Sequence, residues 1–172
     1  MEEYLPLELI QYIFDFLDLK SQIIFRSLNS LHYNSLIIYD LYSPPLKYTK
    51  KLNNDILKHY KYLKYLDLQD NIHVTDINHL TNLRKLKARN ISCAIDDTSI
   101  GKCTNLTFLD ITSNQNISEL NHLKNLSILH ASLAPQLRNG SIRECFNLTE
   151  LYVGCDQYIT HISHLTKLET LC

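Results

Sequence analysis

The side chains in this chain best suited to hold a metal or to act as nucleophiles are its eight histidines and five cysteines. His79, His122 and His164 recur at one offset of a repeating pattern, once in every second unit. Neighbouring units of a stacked sheet lie about 4.8 Å apart, so these imidazoles fall roughly 10 Å from one another. Zn–N bonds of about 2 Å cannot bridge that gap. The spacing therefore predicts surface histidines set by the repeat, and no metal or cofactor is expected. Cys93, Cys103, Cys145, Cys155 and Cys172 are odd in number and contain no CxxC pair. They read as reduced thiols, with Cys103 and Cys145 as small apolar residues of a core. Gly101, Gly140 and Gly154 are scattered and build no phosphate cradle, and no Ser or Cys stands in a nucleophile motif. No catalytic residue is assigned, and the chain is read as not an enzyme.

Six Asn-x-Ser/Thr triplets begin at Asn90, Asn105, Asn116, Asn125, Asn139 and Asn147. They would be glycosylation acceptors in a secreted chain. The opening "MEEYLPLELI" has acids where a signal peptide needs positive charge, so secretion is not expected. No apolar run reaches the roughly 18 residues a membrane span requires.

The elements that must position these residues follow from an internal repeat. The segments "LKYLDLQDNIHVTDINHLTN", "LTFLDITSNQNISELNHLKN" and "LTELYVGCDQYITHISHLTK" start at Leu63, Leu106 and Leu148. All three carry an aliphatic residue at offsets 0, 3, 5, 11, 14 and 17, with Asn71, Asn114 and Asp156 at offset 8. Longer units start between them at Leu83 and Leu126, giving lengths of 20, 23, 20, 22 and 20 residues. The pairs Leu66/Leu68, Leu109/Ile111 and Leu151/Val153 alternate as a short strand with one buried face does. The polar residue three positions later sits where the chain bends out of the strand and can bond backbone groups the bend leaves unpaired. One unit cannot bury its own apolar face, so the units must stack.

This pattern resembles the leucine-rich-repeat family. The stretches "DDTSIGKCTNL" and "NGSIRECFNL" resemble the cysteine-containing repeats often found in F-box proteins, with Cys103 and Cys145 standing where Leu80 and Leu123 stand in the short units. "KKLNNDILKHYKYL" (50–63) fits the same long type, so the array starts before Leu63, though its first strand is not evident. The resemblance implies a right-handed solenoid with a parallel sheet of short strands, over roughly 46–172 and some five to six units. "LETLC" ends on a strand without a polar cap. That predicts a truncated product, a partner covering the edge, or a fraying tail.

The first forty residues lack this rhythm. Pro6 suits a first helical turn, and Leu9, Ile10, Ile13, Phe14 and Leu17 form one apolar stripe after it. Ser21 and Ser30 can cap two further helices. "LPLELIQYIFDFLDLKSQIIFRSLNSLHYNSL" resembles an F-box over residues 4–38, through Leu5-Pro6, Glu8-Leu9, Ile13-Phe14 and Phe16-Leu17. The later helices match in apolar pattern only, and Leu31 or His32 stands near where the family commonly has Trp. The resemblance implies a three-helix module at 1–40, ahead of repeats at 41–172. That module would dock on a Skp-type adaptor, and through it a cullin ubiquitin ligase, by Leu5, Pro6, Leu9, Ile10, Ile13, Phe14 and Leu17. The alternative is that these helices simply cap the first repeat. Composition and repeat style resemble giant-virus and amoebal proteins. The expected location is the cytoplasm (the host's, if viral), with the nucleus open.

The 17 basic and 18 acidic residues nearly cancel, which argues against nucleic-acid and membrane partners. In the repeat register the concave face shows Tyr65/Asp67/Gln69, Lys85/Lys87/Arg89, Phe108/Asp110/Thr112, Ile128/His130/Ser132 and Glu150/Tyr152/Gly154. Mixed charge with interleaved aromatics suits a protein epitope. The candidate target-binding residues are Tyr65, Asp67, Lys85, Lys87, Arg89, Phe108, Asp110, His130 and Tyr152, with an acidic spot of the target opposite Arg89. Two functions follow as expectations. One is a substrate-recognition adaptor of a ubiquitin ligase, and the other is a repeat scaffold or decoy with no ligase attached.

Overall fold

The computed structural model describes Gln11, Asp15, Ser21, Gln22 and residues 38–41, 49–154 and 158–172. Leu5, Pro6, Leu9, Ile10, Ile13, Phe14 and Leu17, and with them the expected three-helix module, lie outside the described residues.

Seven short parallel strands stack in chain order. They are β1 (Asp40–Leu41), β2 (Tyr65–Asp67), β3 (Lys85–Lys87), β4 (Phe108–Asp110), β5 (Ile128–His130), β6 (Glu150–Tyr152) and β7 (Thr170–Leu171). Their starts are separated by 25, 20, 23, 20, 22 and 20 residues, so long and short units alternate throughout. β1 is the first strand that the sequence left unassigned, and it straddles the expected boundary between the opening segment and the repeats. Leu41 pairs with Leu66, and the register then runs Leu66, Leu86, Leu109, Leu129, Leu151, Leu171 without a slip. A slip of one residue would turn every leucine outward, which is why one buried face fixes the register.

The core is a leucine and isoleucine column, with Leu66, Leu86, Leu109, Leu129 and Leu151 fully buried. Cys103 and Cys145 join it, as expected for small apolar residues, and so does Cys93. The Cys103 and Cys145 thiols donate to the carbonyls of Ile77 and Leu120, at 3.5 and 3.4 Å. Ile100 and Ile142 are buried opposite Ile77 and Leu120, as the register predicts, and the Ile77 and Leu120 N–H groups donate to Ser99 and Ser141.

The long units return through one helical turn: α1 (Asn54–Leu57), α2 (Asp97–Ile100) and a 3-10 turn over Asn139–Ile142. Asn53 and Asp96 cap the first two by accepting the N–H of Ile56 and of Ser99. At the third, the cap position is Arg138, whose side chain has no acceptor to offer, and the turn stays 3-10. Burial works against the Asp96 carboxylate, but hydrogen bonds from Ser99 and Thr98 outweigh it and hold the carboxyl below its usual range.

Polar side chains tie the turns together. The buried Asn71 amide donates to Thr49 and Leu52 carbonyls at 2.7 and 3.0 Å and accepts from the His73 and Val74 N–H groups. Asn114 repeats this, donating to Ala88 and Ile95 and accepting from Asn116. Each therefore satisfies backbone in its own unit and in the one before. On the outer loops, Asn54, Asp97 and Asn139 each accept two successive N–H groups from the next unit: Thr75/Asp76, Ser118/Glu119 and Thr160/His161.

The three periodic histidines, expected at the surface, also belong to this network. His79 is exposed and His122 and His164 are half-buried, and Nε2 of His79, His122 and His164 lies 3.0, 3.2 and 3.3 Å from the carbonyls of Leu57, Ile100 and Ile142. Those residues are the last of the three helical turns. A carbonyl only accepts, so Nε2 carries the proton, and each ring closes a helix end whose carbonyls have no partner within the helix.

Asn114→Ala removes two donors and one acceptor from the interior at once. It is expected to lower the unfolding free energy by about 3 kcal/mol, measured by urea denaturation. A change within experimental error of zero would mean that water replaces the amide.

Candidate functional site

The strand register brings the expected concave residues into two adjacent columns. One runs Tyr65, Lys85, Phe108, Ile128, Glu150, and the other Asp67, Lys87, Asp110, His130, Tyr152. Alternation along each strand turns these side chains away from the leucine core. All nine sequence-derived target-binding residues thus share one face, with Arg89 just beyond the end of β3.

Two cations of this face pair with its carboxylates. Lys87 Nζ lies 3.7 Å from Asp67, and Arg89 Nε lies 3.5 Å from Asp110 Oδ2. Arg89 also donates to the Gln69 side chain. Its Nε is buried and makes no hydrogen bond, so the contact with Asp110 is an ion pair without the geometry of a hydrogen bond. Asp110 is the buried centre of the group: Oδ1 accepts the Thr112 N–H, and Oδ2 is 4.0 Å from His130 Nδ1. Arg89 was expected to meet an acidic spot on a partner, but it is already held by Asp110 and Gln69. Three cations (Lys85, Lys87, Arg89) and three carboxylates (Asp67, Asp110, Glu150) leave the face close to neutral.

Beside these pairs runs an aromatic ladder. The Phe108 and His130 rings meet edge to face at 5.2 Å, and His130 meets Tyr152 the same way at 4.4 Å. The Tyr152 hydroxyl donates to Glu150 at 3.1 Å, and that bond to a carboxylate raises its pKa. Lys85 places its ammonium over the Tyr65 ring at 5.6 Å. The result is a half-buried aromatic strip across β4, β5 and β6. Gly154 continues the face with φ of +54°, and a Cβ there would lie 3.0 Å from Ser132 Oγ. The position therefore favours glycine on both grounds.

Two features escaped the sequence reading. Gln69 and Glu150 complete the Arg89 and Tyr152 contacts, the first across neighbouring units and the second between residues two apart on β6. Ile72, Ile91 and Leu133 stand exposed on the loops after their strands, with Leu133 at φ of +59°. No periodic signal marks them.

No group of three His, Cys, Asp or Glu side chains among the described residues could hold a metal. The thiols have their own chemistry. Burial pushes Cys93 and Cys145 up to about 11 and Cys103 up to about 12. Thiolate is the nucleophile, so these three are poor ones.

No family model matches the chain, and no curated protein matches it. Among solved structures, an internalin C2 (inlC2) from Listeria monocytogenes superposes with a TM-score of 0.57 at 22% identity, over 81% of this chain and 71% of that one. An internalin (inlF) from the same organism gives 0.48 at 19% identity, over 69% of this chain and 43% of the other, so this chain spans less than half of that protein. Internalins are leucine-rich-repeat proteins. At such identities the likeness is one of fold, and the fold of the described residues is the leucine-rich-repeat solenoid.

Asp110→Ala leaves Arg89 without its carboxylate. The expected loss of stability is about 2 kcal/mol, below that of a fully buried pair because the Arg89 side chain is 35% exposed. Thermal or urea unfolding reads it, and an unchanged midpoint would show that solvent takes Asp110's place. For the thiols, the raised native pKa values mean that the folded chain keeps protons which the unfolded chain releases. Stability is then insensitive to these groups below about pH 8.5 and falls as pH rises from there through 11, by up to about 1.4 kcal/mol per unit for each thiol. Cys103→Ala/Cys145→Ala should flatten that fall. Iodoacetamide at pH 8 should spare Cys93, Cys103 and Cys145 in the native protein while alkylating the exposed Cys172.

Proposed function

We propose that the chain is a non-catalytic protein-binding adaptor. Its concave sheet holds a target protein, and its first forty residues dock on a Skp-type adaptor of a cullin ubiquitin ligase. The observation that carries the target-binding half is the Phe108–His130–Tyr152 ladder on a face where Lys87 and Arg89 already pair with Asp67 and Asp110. Rigid aromatic area without net charge favours a protein surface over a phosphate-bearing ligand. Desolvating this face on binding also exposes no lone ion, because each buried charge keeps its in-sheet partner.

The docking half rests on Leu5-Pro6, Glu8-Leu9, Ile13-Phe14 and Phe16-Leu17, together with the acidic balance of residues 1–40. In this reading catalysis comes from the associated ligase, and ubiquitylation follows from the raised effective concentration of a held target. The site of action is the cytoplasm, or the host cytoplasm for a viral protein, with the nucleus also accessible.

A second reading is a scaffold or decoy whose N-terminal segment caps the solenoid. The observation that favours it is β1: Ile38 and Leu41 are buried in the repeat core and Asp40 pairs with Tyr65, so the chain leaving residues 1–37 is already sealed onto the array.

The two readings separate in a binding assay with purified Skp-type adaptor. Wild type is expected to bind and a Pro6→Ala/Ile13→Asp variant to lose binding, with circular dichroism showing both folded. A folded wild type that does not bind would leave the scaffold reading standing.

A further inference from the structure

The basic residues of the chain are concentrated. Residues 47–89 hold ten of the 17, against four acids, whereas residues 90–172 hold five bases against eight acids. Within the basic region, Lys87 and Arg89 pair with Asp67 and Asp110, and Lys58 pairs with Asp55. Lys61, Lys64, Arg84 and Lys85 are different. All four are exposed, and among the described residues no carboxylate lies within ion-pair distance of any of them.

The fold places these four together. Lys64 and Arg84 are equivalent residues immediately ahead of β2 and β3, one strand spacing apart, with the Arg84 N–H donating to the Lys64 carbonyl at 2.7 Å. Lys61 precedes Lys64 by three residues, and Lys85 is the first residue of β3. The same column continues as Thr107, Ser127 and Thr149, whose hydroxyls donate back to the Arg84, Thr107 and Ser127 carbonyls at 3.1, 2.9 and 3.1 Å. It ends at Glu169, so positive charge sits on the first two of these units and falls away along the edge.

From this we infer that the strand-entry edge of β2 and β3 is a docking site for an acidic, carboxylate-rich segment of a partner protein. Charge complementarity carries the choice of partner: four clustered cations have no carboxylate within ion-pair distance among the described residues and steer an oppositely charged chain to this edge. The rings beside them argue against single-stranded nucleic acid. Lys61, Lys64 and Lys85 hold their ammoniums over Tyr62, Tyr39 and Tyr65 at 5.1, 4.8 and 5.6 Å. Faces covered in this way do not serve as the base-stacking platforms such ligands use. The cation–π contacts also hold the lysines extended along the edge, lowering the ordering cost of binding. The edge shares Lys85 with the concave face, whereas Lys61, Lys64 and Arg84 lie outside the aromatic ladder, so the edge stands whether or not the ladder takes the same partner.

Fluorescence anisotropy with an end-blocked octaglutamate peptide, at low salt and at physiological ionic strength, tests this on the full chain. Wild type should bind with an affinity that falls as salt rises. Lys64→Glu/Lys85→Glu should weaken binding by about tenfold or more. Lys102→Glu/Arg143→Glu, with the same net charge change on the opposite side of the units, should leave it within about twofold. If the charge-reversed pair does not fold, Lys64→Gln/Lys85→Gln takes its place, with a smaller loss in the same direction. Equal losses in the edge and control variants would overturn the proposal in favour of net charge alone. So would no binding by the folded wild type, or an oligonucleotide of equal charge binding as tightly as the peptide.

Discussion

A coil that buries its own backbone every twenty residues or so must find partners for the N–H and C=O groups it takes out of water. The side chains that do this here recur with a period of two units, not one. Asn71 and Asn114 sit in the interior of the short units and bond backward into the long units, and His79, His122 and His164 close the helical turns of those long units. Asn54, Asp97 and Asn139 return the favour from long unit to short. A single unit of either kind would leave polar groups unpaired in an apolar core, at about 1–3 kcal/mol for each group. The pair is therefore the building block, and the alternation in length is its outward sign.

That constraint leaves the concave side chains only a part of the work of holding the coil together. Its strands are three residues long and its side chains meet across strands only because the leucine register is uniform. On such a face a charge is neutralised by its neighbour in the next unit, as Asp67 is by Lys87 and Arg89 by Asp110. What remains for a partner is aromatic area at the centre and, at the strand-entry edge, cations that the repeat leaves without carboxylates. In the proposed reading, shape and contact area come from one surface and electrostatic steering from the other. The buried thiols take no part in either, because the core that excludes water also keeps them protonated.

Periodicity made much of this legible. The strand positions, the leucine column, the core role of Cys103 and Cys145 and the membership of both concave columns all follow from an alternation of two and a repeat of about twenty residues. The first strand was not legible, since Asp40–Leu41 is only two residues long and carries none of the leucine spacing. The histidine hydrogen bonds were not legible for a related reason: offset alone gives the distance between equivalent side chains, while the acceptor is a carbonyl 22 residues away in sequence. The opening helices, read from apolar spacing and the Leu-Pro start, fall on residues whose structure is not described.

The sequence by itself determined that apolar residues return every turn, and hence that the chain coils into stacked strands with one buried face; burial of those leucines admits only one register. Which polar groups meet across that stack was decided by tertiary structure alone. Asp110 lies between Arg89 and His130, and the Tyr152 ring meets His130, because units of 23, 20 and 22 residues bring them level. Electrostatic and ring contacts depend on distances of a few ångströms between residues some twenty apart, and no local pattern in a chain encodes such a distance until the coil is closed.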